Sequence, residues 1–268
     1  MMSLGAHQKN HSVVLAMRDI SYRVGGRVLL DQVSVTVSAG DILAVIGPNG
    51  AGKTTLLNTL SGMCVPHRGK VLLGGRALYL WPQNERARAL AVLPQFSVLS
   101  FPFTVDEVVA LGRIPHSTGK EIDKAIVAEA MAAMDITYLT GRNYMALSGG
   151  EKQRTQLARV MAQIWRQEDA NQRVLLLDEP TMALDLGHQQ QLMDAISDFA
   201  KQGIAVVMVM HDLNLAAQYA EHLLALRCGQ VVAYGAVNDV LTDTLVRDLF
   251  QARVSLINHP DKNVKVLI

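Results

Sequence analysis

One glycine-rich stretch constrains this chain more than any other feature of its sequence. It is Gly47-Pro48-Asn49-Gly50-Ala51-Gly52-Lys53-Thr54-Thr55, and it follows the apolar run Ile42–Ile46. The pattern G-x-x-x-x-G-K-[ST], placed between a β-branched run and apolar residues at helical spacing, is typical of a phosphate-binding loop. Its glycines let successive backbone N–H groups point at one anion, and the helix that opens at Lys53 adds its positive end. The sequence therefore predicts that the chain binds a nucleoside triphosphate.

Two side chains of this loop and two later acids predict the chemistry. Lys53 is expected to reach the outer phosphates, and the Thr54 hydroxyl is a ligand of the kind Mg²⁺ accepts. The continuous apolar run Val174–Leu177 predicts a buried parallel strand that ends in Asp178 and Glu179. Ligands of α/β sheets bind at the carboxyl ends of the strands. We therefore expect Asp178 to hold Mg²⁺ through water and Glu179 to take a proton from an attacking water.

Two further polar residues follow predicted strands. Gln95 comes directly after the strand Ala91–Leu93, where its amide oxygen could contact a metal or a water. His211 follows the buried strand Ile204–Met210, at the sheet edge that also carries Glu179. A lone histidine is more often structural than functional, and a hydrogen bond from His211 to a γ-phosphate is the second interpretation.

A second motif, Leu147-Ser148-Gly149-Gly150-Glu151, opens another predicted helix. Ser148 and Glu151 match the S-x-x-E capping box, and the glycines leave backbone N–H groups bare at the positive helix end. An ordinary capped helix would give the same pattern. The alternative is a second anion site, which has donors but no lysine to hold a phosphate by itself.

Composition limits the other possibilities. The 268 residues contain 25 Lys plus Arg and 24 Asp plus Glu, and no basic run is present, which argues against nucleic acid as the main partner. Cys64 and Cys228 stand alone, so a disulfide framework or zinc site has little support. Residues 1–12 are polar without an apolar core of signal-peptide length, and no apolar run approaches a membrane span. We therefore expect a cytoplasmic protein that contacts a membrane only through a partner.

The pattern along the chain predicts an α/β protein. Short alternating pieces from Val13 to Val37 indicate antiparallel strands, and residues 104–167 indicate a helical block inserted between strands. The expected fold is a P-loop core with a mostly parallel sheet, an N-terminal antiparallel β subdomain and an inserted α-helical subdomain. One domain is predicted over residues 13–255, with a polar segment at 1–12, a helix around Val240–Phe250 and a tail at 256–268.

Taken together and in this order, the motifs resemble the full set of ATP-binding-cassette ATPases. The resemblance implies that Tyr22 stacks on adenine, although a tyrosine on a half-buried strand usually only packs. It implies that Gln95 senses the γ-phosphate and the metal, and that Ser148, Gly149 and Gly150 close over the ATP of a second copy. Met182-Ala183-Leu184-Asp185 matches the loop that crosses this dimer interface, with Met182 where such families usually have serine. ATP and Mg²⁺ are the implied cofactors.

The two predicted anion sites give a physical reason for a dimer that does not depend on the family resemblance. A phosphate held by Lys53 is exposed on one side, while Ser148-Gly149-Gly150 has hydrogen-bond donors but no anion to bind. In two chains arranged head to tail, the donors of one chain can bind the phosphate held by the other. Loss of the shared phosphate by hydrolysis should then release the pair.

A finer resemblance lies outside these motifs. Residues Ala91–Gln95, Ser100–Val105 and Leu111–His116 are similar to importer ATPases for haem, ferric siderophores and cobalamin, and most similar to those for haem, as is His188–Gln191. The resemblance implies a peripheral subunit on the cytoplasmic face of the inner membrane, working with two permease subunits and a periplasmic substrate-binding protein. Phe101 and Phe103 would line the groove that receives a permease helix, or they pack beneath the helical block.

Other classes remain as alternatives. A siderophore or cobalamin cargo is the closest one. An ATP-binding-cassette protein that acts on nucleic acid would be expected to show coiled-coil insertions, zinc cysteines or two cassettes in tandem, and this sequence has none of them. A simple P-loop kinase would leave Leu147–Glu151 unexplained.

Overall fold

The computed structural model describes residues 12–95, 99–182, 184–252, 254–258 and 265–268. The polar segment predicted at 1–12 therefore falls almost entirely outside the described residues, as do Ala183 of the predicted interface loop and residues 259–264 of the predicted tail. No helix in the described ranges is long and apolar enough to cross a membrane.

An antiparallel sheet forms the N-terminal part of the fold. Its strands are β1 (Val13–Val24), β2 (Arg27–Ser38), β4 (Arg68–Leu73) and β5 (Arg76–Ala77), in the order β2-β1-β4-β5. Gly25 and Gly26 join β1 to β2 with φ of 54° and 80°, as a two-residue hairpin turn requires. The predicted antiparallel N-terminal subdomain is confirmed.

The central sheet is mostly parallel. It contains β3 (Ile42–Ile46), β6 (Leu90–Leu93), β7 (Val174–Asp178), β8 (Ala205–Val209), β9 (His222–Arg227) and β10 (Gln230–Ala236), in the order β10-β9-β3-β8-β7-β6. Only the β9–β10 pair is antiparallel. Every residue of β3, β7 and β8 is buried, because both faces of the sheet are covered. A small antiparallel pair, β11 (Leu256–Asn258) and β12 (Lys265–Leu267), completes the described sheets.

Helices connect and cover the strands. They are α1 (Lys53–Leu60), α2 (Gln83–Ala89), α3 (Val105–Ala110), α4 (Lys120–Ala133), α5 (Gly149–Gln163), α6 (Leu186–Ala200), α7 (Leu213–Tyr219), α8 (Val237–Val240) and α9 (Asp243–Phe250). Short 3-10 helices lie at Leu78–Leu80, Leu111–Arg113, Thr137–Leu139, Tyr144–Ala146 and Gln167–Asp169. The α/β class is confirmed.

The helical block α3–α5 lies where the sequence places it and shares its core with the central sheet. Its apolar side chains, including Val108, Ile126 and Leu157, belong to the same buried cluster as Leu175 of β7 and Val206 of β8. Capping boxes start both α3 and α5, at Thr104 and Ser148 respectively. The block is therefore packed onto the sheet, and the limits 104–167 and 13–255 stay predictions.

Candidate functional site

The phosphate loop lies between β3 and α1, at the carboxyl end of β3. Gly47 and Gly52 have φ of 153° and 106°, and a Cβ at these positions would come within 2.3 Å of Leu226 O and 2.6 Å of Leu29 O respectively. Gly229, in the β9–β10 turn, donates its N–H to Ala51 O and accepts from Asp31 N. The loop is thus held between β2 and the β9–β10 turn, so its backbone N–H groups have a fixed direction.

We predict that Gly52→Ala destabilises the fold more than Gly50→Ala does. Both glycines have positive φ, which costs an alanine about 1 to 2 kcal/mol. Only Gly52 also faces a backbone oxygen at a distance no Cβ tolerates, whereas Gly50 has open space around it. Urea unfolding without nucleotide should therefore show a loss of about 1 kcal/mol for Gly50→Ala and at least ~2 kcal/mol for Gly52→Ala. Equal losses would contradict the close approach of β2.

Lys53 is buried at the start of α1, and its ammonium is held by the loop itself. Nζ donates to the carbonyls of Gly47 at 2.7 Å and Pro48 at 3.2 Å. Burial lowers the pKa of Lys53, and the negative charges of Glu179 and Asp178 partly oppose that shift. A cation in this position gains a stronger partner when a phosphate anion enters the loop.

Asp178 ends β7 and is buried next to Thr54. Burial raises the pKa of Asp178, while the hydrogen bond with the Thr54 hydroxyl counteracts that rise. Its Oδ1 atom is buried and has no hydrogen-bond partner within the described ranges. A buried carboxylate oxygen that lacks a donor, beside a hydroxyl, is a donor set that fits a hard divalent cation such as Mg²⁺.

Glu179 gathers two of the predicted site residues around its carboxylate. His211 Nε2 lies 2.6 Å from Oε1, and Gln95 Nε2 donates to Oε2 at 2.9 Å. The backbone of Glu179 has φ of 53°, a left-handed conformation that non-glycine residues adopt at a cost and that clusters at functional sites. The structure therefore brings Gln95, Glu179 and His211 together, although they follow three different strands.

A cavity of about 340 Å³ runs along the phosphate loop. Its lining includes loop residues from Asn49 to Thr55, together with Gln95 and Glu179. Two further lining residues, Arg27 and Leu29, come from β2 and were missed by sequence reasoning. Neither belongs to a motif, and only the approach of the antiparallel sheet to the loop brings them there.

Tyr22 does not line this cavity. Its ring packs beside His67, with the ring centroids 5.7 Å apart, and the neighbouring Cys64 thiol raises the pKa of its hydroxyl. Cys64 follows the carboxyl end of α1, the end away from the phosphate loop. The structure thus places Tyr22 as a packing residue, and its predicted contact with adenine stays a prediction without geometric support.

The residues predicted to face a second chain lie elsewhere on the surface. Ser148 accepts a hydrogen bond from Glu151 N, and the Glu151 carboxylate accepts one from Ser148 N. Gly149 is exposed, and a Cβ on it would meet no atom within 4 Å. Gly150 follows in the first turn of α5. None of these residues lines the phosphate-loop cavity of its own chain.

The loop before α6 carries the other predicted interface residues. Asp185 caps α6 by accepting from His188 N, so its carboxylate has a local structural role in the single chain. Met182 is half exposed, and its sulfur lies 3.9 Å from Gln95 Nε2. The residue in the usual serine position therefore touches the glutamine that contacts Glu179.

These features define a class of protein. A phosphate loop, a strand-end Asp-Glu pair that meets a glutamine and a histidine, and a glycine-opened helix on an inserted helical block together form an ATP-binding cassette. The family model described as "ABC transporter" matches residues 30–182, more than half of the chain. The chain belongs to the ABC transporter family, as one of its ATP-binding, ATP-hydrolysing proteins.

Curated relatives narrow the comparison. The Hemin import ATP-binding protein HmuV of Pseudomonas aeruginosa is 47% identical over 255 residues, which cover 95% of this chain and 99% of the relative. The protein of the same name from Gloeobacter violaceus is 50% identical over 249 residues, covering 92% and 90% respectively.

Solved structures agree on the fold. An inward-facing metal-chelate type ABC transporter matches with a TM-score of 0.80 and 26% identity over 96% of this chain and 97% of that chain. An ATP-binding cassette of an ABC transporter in its ADP conformation matches with a TM-score of 0.77, covering 90% and 99%; at 23% identity it supports the fold alone.

Proposed function

We propose that this chain is the ATPase subunit that powers hemin import through a separate membrane permease. The observation that carries the catalytic part is the cluster in which Gln95 and His211 both contact the Glu179 carboxylate beside the phosphate loop. The cargo rests on the relatives, which are named for hemin import and match almost end to end.

Binding of ATP is assigned to the phosphate loop. Backbone N–H groups between Asn49 and Thr55 surround the β- and γ-phosphates, and Lys53 exchanges its carbonyl partners for phosphate oxygens. The desolvation free energy of the Lys53 ammonium is already offset when the chain folds, so the phosphate binds to a cation that is in position.

Hydrolysis is assigned to the Glu179 cluster. Glu179 orients a water and takes its proton, His211 contacts the γ-phosphate, and Gln95 holds the carboxylate in place through its amide. The contacts of Gln95 and His211 fix the Glu179 rotamer on a backbone that is itself restrained.

The cation site is assigned to the Thr54 hydroxyl, the amide oxygen of Gln95 and the carboxylate of Asp178, directly or through water. The unpartnered Oδ1 of Asp178 supports this assignment. When bound, Mg²⁺ neutralises charge on the β- and γ-phosphates.

The working unit is proposed to be a homodimer. The Ser148 hydroxyl and the N–H groups of Gly149 and Gly150 lie at the start of α5, a helix of 15 residues, where the Glu151 carboxylate already accepts the Ser148 N–H. In a head-to-tail pair they close over the γ-phosphate of the partner, and Asp185 and Met182 lie at the crossing point. Each ATP is then enclosed by both chains, so hydrolysis separates them.

The proposed location follows from the coupling to a permease. The dimer binds two integral membrane permease subunits at the cytoplasmic face of the inner membrane, and a periplasmic substrate-binding protein delivers cargo from the other side. Nucleic acid is not a proposed partner, because the net charge of the chain is +1 and its sequence has no basic run.

The experiment that tests the cargo is ATP-driven uptake. The chain is co-purified with its permease, reconstituted into lipid vesicles and supplied with ATP on its own side. Hemin should accumulate, while a ferric siderophore and cobalamin should not. Uptake of either alternative in place of hemin would reassign the cargo without changing the ATPase assignment.

Of the two phenylalanines predicted from the sequence for the permease groove, Phe101 is the one we propose as the contact, and Phe103 is assigned to packing. Phe101 is 65% exposed, whereas Phe103 is partly buried against the shared core and its carbonyl accepts from Tyr144 N. We expect Phe101→Ser to change the ATPase activity of the isolated chain less than about twofold, because the side chain packs on little. Uptake by the reconstituted complex should fall about tenfold or more, as for an aromatic interface anchor.

The control for this variant is Tyr79→Ser, which removes an aromatic ring that is 78% exposed from the antiparallel sheet side of the molecule. It should leave both activities unchanged. Undiminished uptake with Phe101→Ser would remove Phe101 from the docking surface.

A further inference from the structure

The inference concerns the wall of the phosphate-loop cavity that β2 provides. Leu29 and Arg27 line the cavity there. The Leu29 carbonyl oxygen would be 2.6 Å from a Cβ on Gly52 and 2.7 Å from a Cβ on Gly229, distances that only glycines permit. This strand therefore sits directly against the loop at Leu29, two residues after Arg27.

A β-bulge separates Arg27 from the aromatic residue predicted to contact the base. Tyr22 pairs with Leu30, but the next residue, Arg23, pairs with Val28, so Leu29 is the extra residue of β2. Bulges redirect side chains and bend the strand. Leu29 is pressed against the loop, while Tyr22 stays beside His67.

Arg27 itself is available for a ligand. It is exposed, and its guanidinium makes no hydrogen bond or ion pair within the residues that the structure describes. It directly follows the Gly25-Gly26 turn and pairs with Val24, which is 54% exposed. The side chain thus extends from a two-residue hairpin turn and lines the cavity.

We propose that the planar guanidinium of Arg27 stacks on the purine base of the bound nucleotide, in the place where Tyr22 was expected. The inference rests on the proposed ATP site. The triphosphate is assigned to the loop, and its γ-phosphate lies on the side of the cavity that Gln95 and Glu179 line. The base is therefore assigned to the other side, which β2 lines. A guanidinium plane stacks on aromatic faces and is weakly hydrated, which makes it a suitable platform for a nucleobase.

The test compares two ligands that share phosphates and differ in the base. Binding of ATP and of inorganic tripolyphosphate, each with Mg²⁺, is measured by calorimetry on the whole chain. The variants are Arg27→Ala, Arg27→Tyr and Tyr22→Ala. Arg23→Ala is the matched control, because it removes an exposed arginine from the same hairpin that does not line the cavity.

Stacking predicts that Arg27→Ala weakens ATP binding about tenfold and leaves tripolyphosphate binding unchanged. Arg27→Tyr should restore ATP binding, since a ring replaces the guanidinium plane, and Arg23→Ala should change neither ligand. Equal weakening of both ligands by Arg27→Ala would make Arg27 a phosphate contact and overturn the proposal.

Two further results also overturn it. One is unchanged ATP binding by Arg27→Ala together with a loss in Tyr22→Ala, which returns the base to Tyr22. The other is failure of Arg27→Tyr to recover affinity although the variant unfolds like the wild type. Failure of the ATPase assignment itself is recognised separately, because the wild-type chain would then bind neither ligand or bind ATP without ever hydrolysing it.

Discussion

Glu179→Gln is expected to stop ATP turnover while ATP binding persists. The amide has nearly the same size as the carboxylate and can still pair with His211 and Gln95, but it cannot accept the proton of the attacking water. General-base catalysis typically contributes about 10²- to 10⁴-fold, so turnover should fall by roughly that factor. The measurement pairs steady-state phosphate release with calorimetric ATP binding on the same preparation.

A matched control separates this effect from the loss of a negative charge. Glu85→Gln removes a carboxylate from the exposed first turn of α2, outside the cavity lining. It should hydrolyse ATP at the wild-type rate. If Glu179→Gln retained turnover within a few-fold of wild type, another group would have to be the base, and the proposed role of this cluster would be wrong.

Gly149→Asp tests whether a second chain completes the site. An added Cβ meets no atom within 4 Å, and a carboxylate at a helix N-terminus is locally favourable, so the single chain should fold and bind ATP normally. In the proposed dimer the same carboxylate faces the γ-phosphate of the partner and repels it. Turnover should therefore fall about 10²-fold or more, by analogy with the loss of one preorganised donor.

Complementation between two inactive variants gives the stronger form of this test. Lys53→Ala removes the phosphate contact but leaves Gly149 intact, and Gly149→Asp does the reverse. When the two are mixed, a mixed pair contains one complete site, formed by the loop of one chain and the α5 start of the other. Turnover should reappear on mixing. An inactive mixture, or an active Gly149→Asp chain alone, would contradict the shared site.

The predictable parts of the structure are those that a short stretch of sequence determines. Continuous apolar runs predicted the buried strands β3, β7 and β8. Because parallel strands end at one edge, the sequence also predicted that Glu179 and His211 would lie at the same sheet edge, where the structure joins them. Gln95 was a weak signal alone, yet the structure places its amide on Glu179 for the same topological reason.

The parts that were not predictable depend on contacts between distant segments. Arg27 lines the cavity only because a bulge and two glycines bring β2 against the loop, and no periodicity in the sequence encodes that approach. The helix predicted around Val240–Phe250 is divided into α8 and α9, because Thr242 is extended and caps α9 by accepting from Leu245 N. Phe101 and Phe103, which are separated only by Pro102, differ in burial because only Phe103 packs against the shared core.

Gly229, in the β9–β10 turn, connects the two sides of the phosphate-loop pocket. Through hydrogen bonds to Ala51 and Asp31, this one residue couples the phosphate loop of the central sheet to β2 of the antiparallel sheet. The distance between the phosphate loop and β2 is therefore set by backbone hydrogen bonds before any nucleotide binds. The two sheets therefore share one anchor beside the site, and the width of the phosphate-loop pocket depends on a residue that does not itself line it.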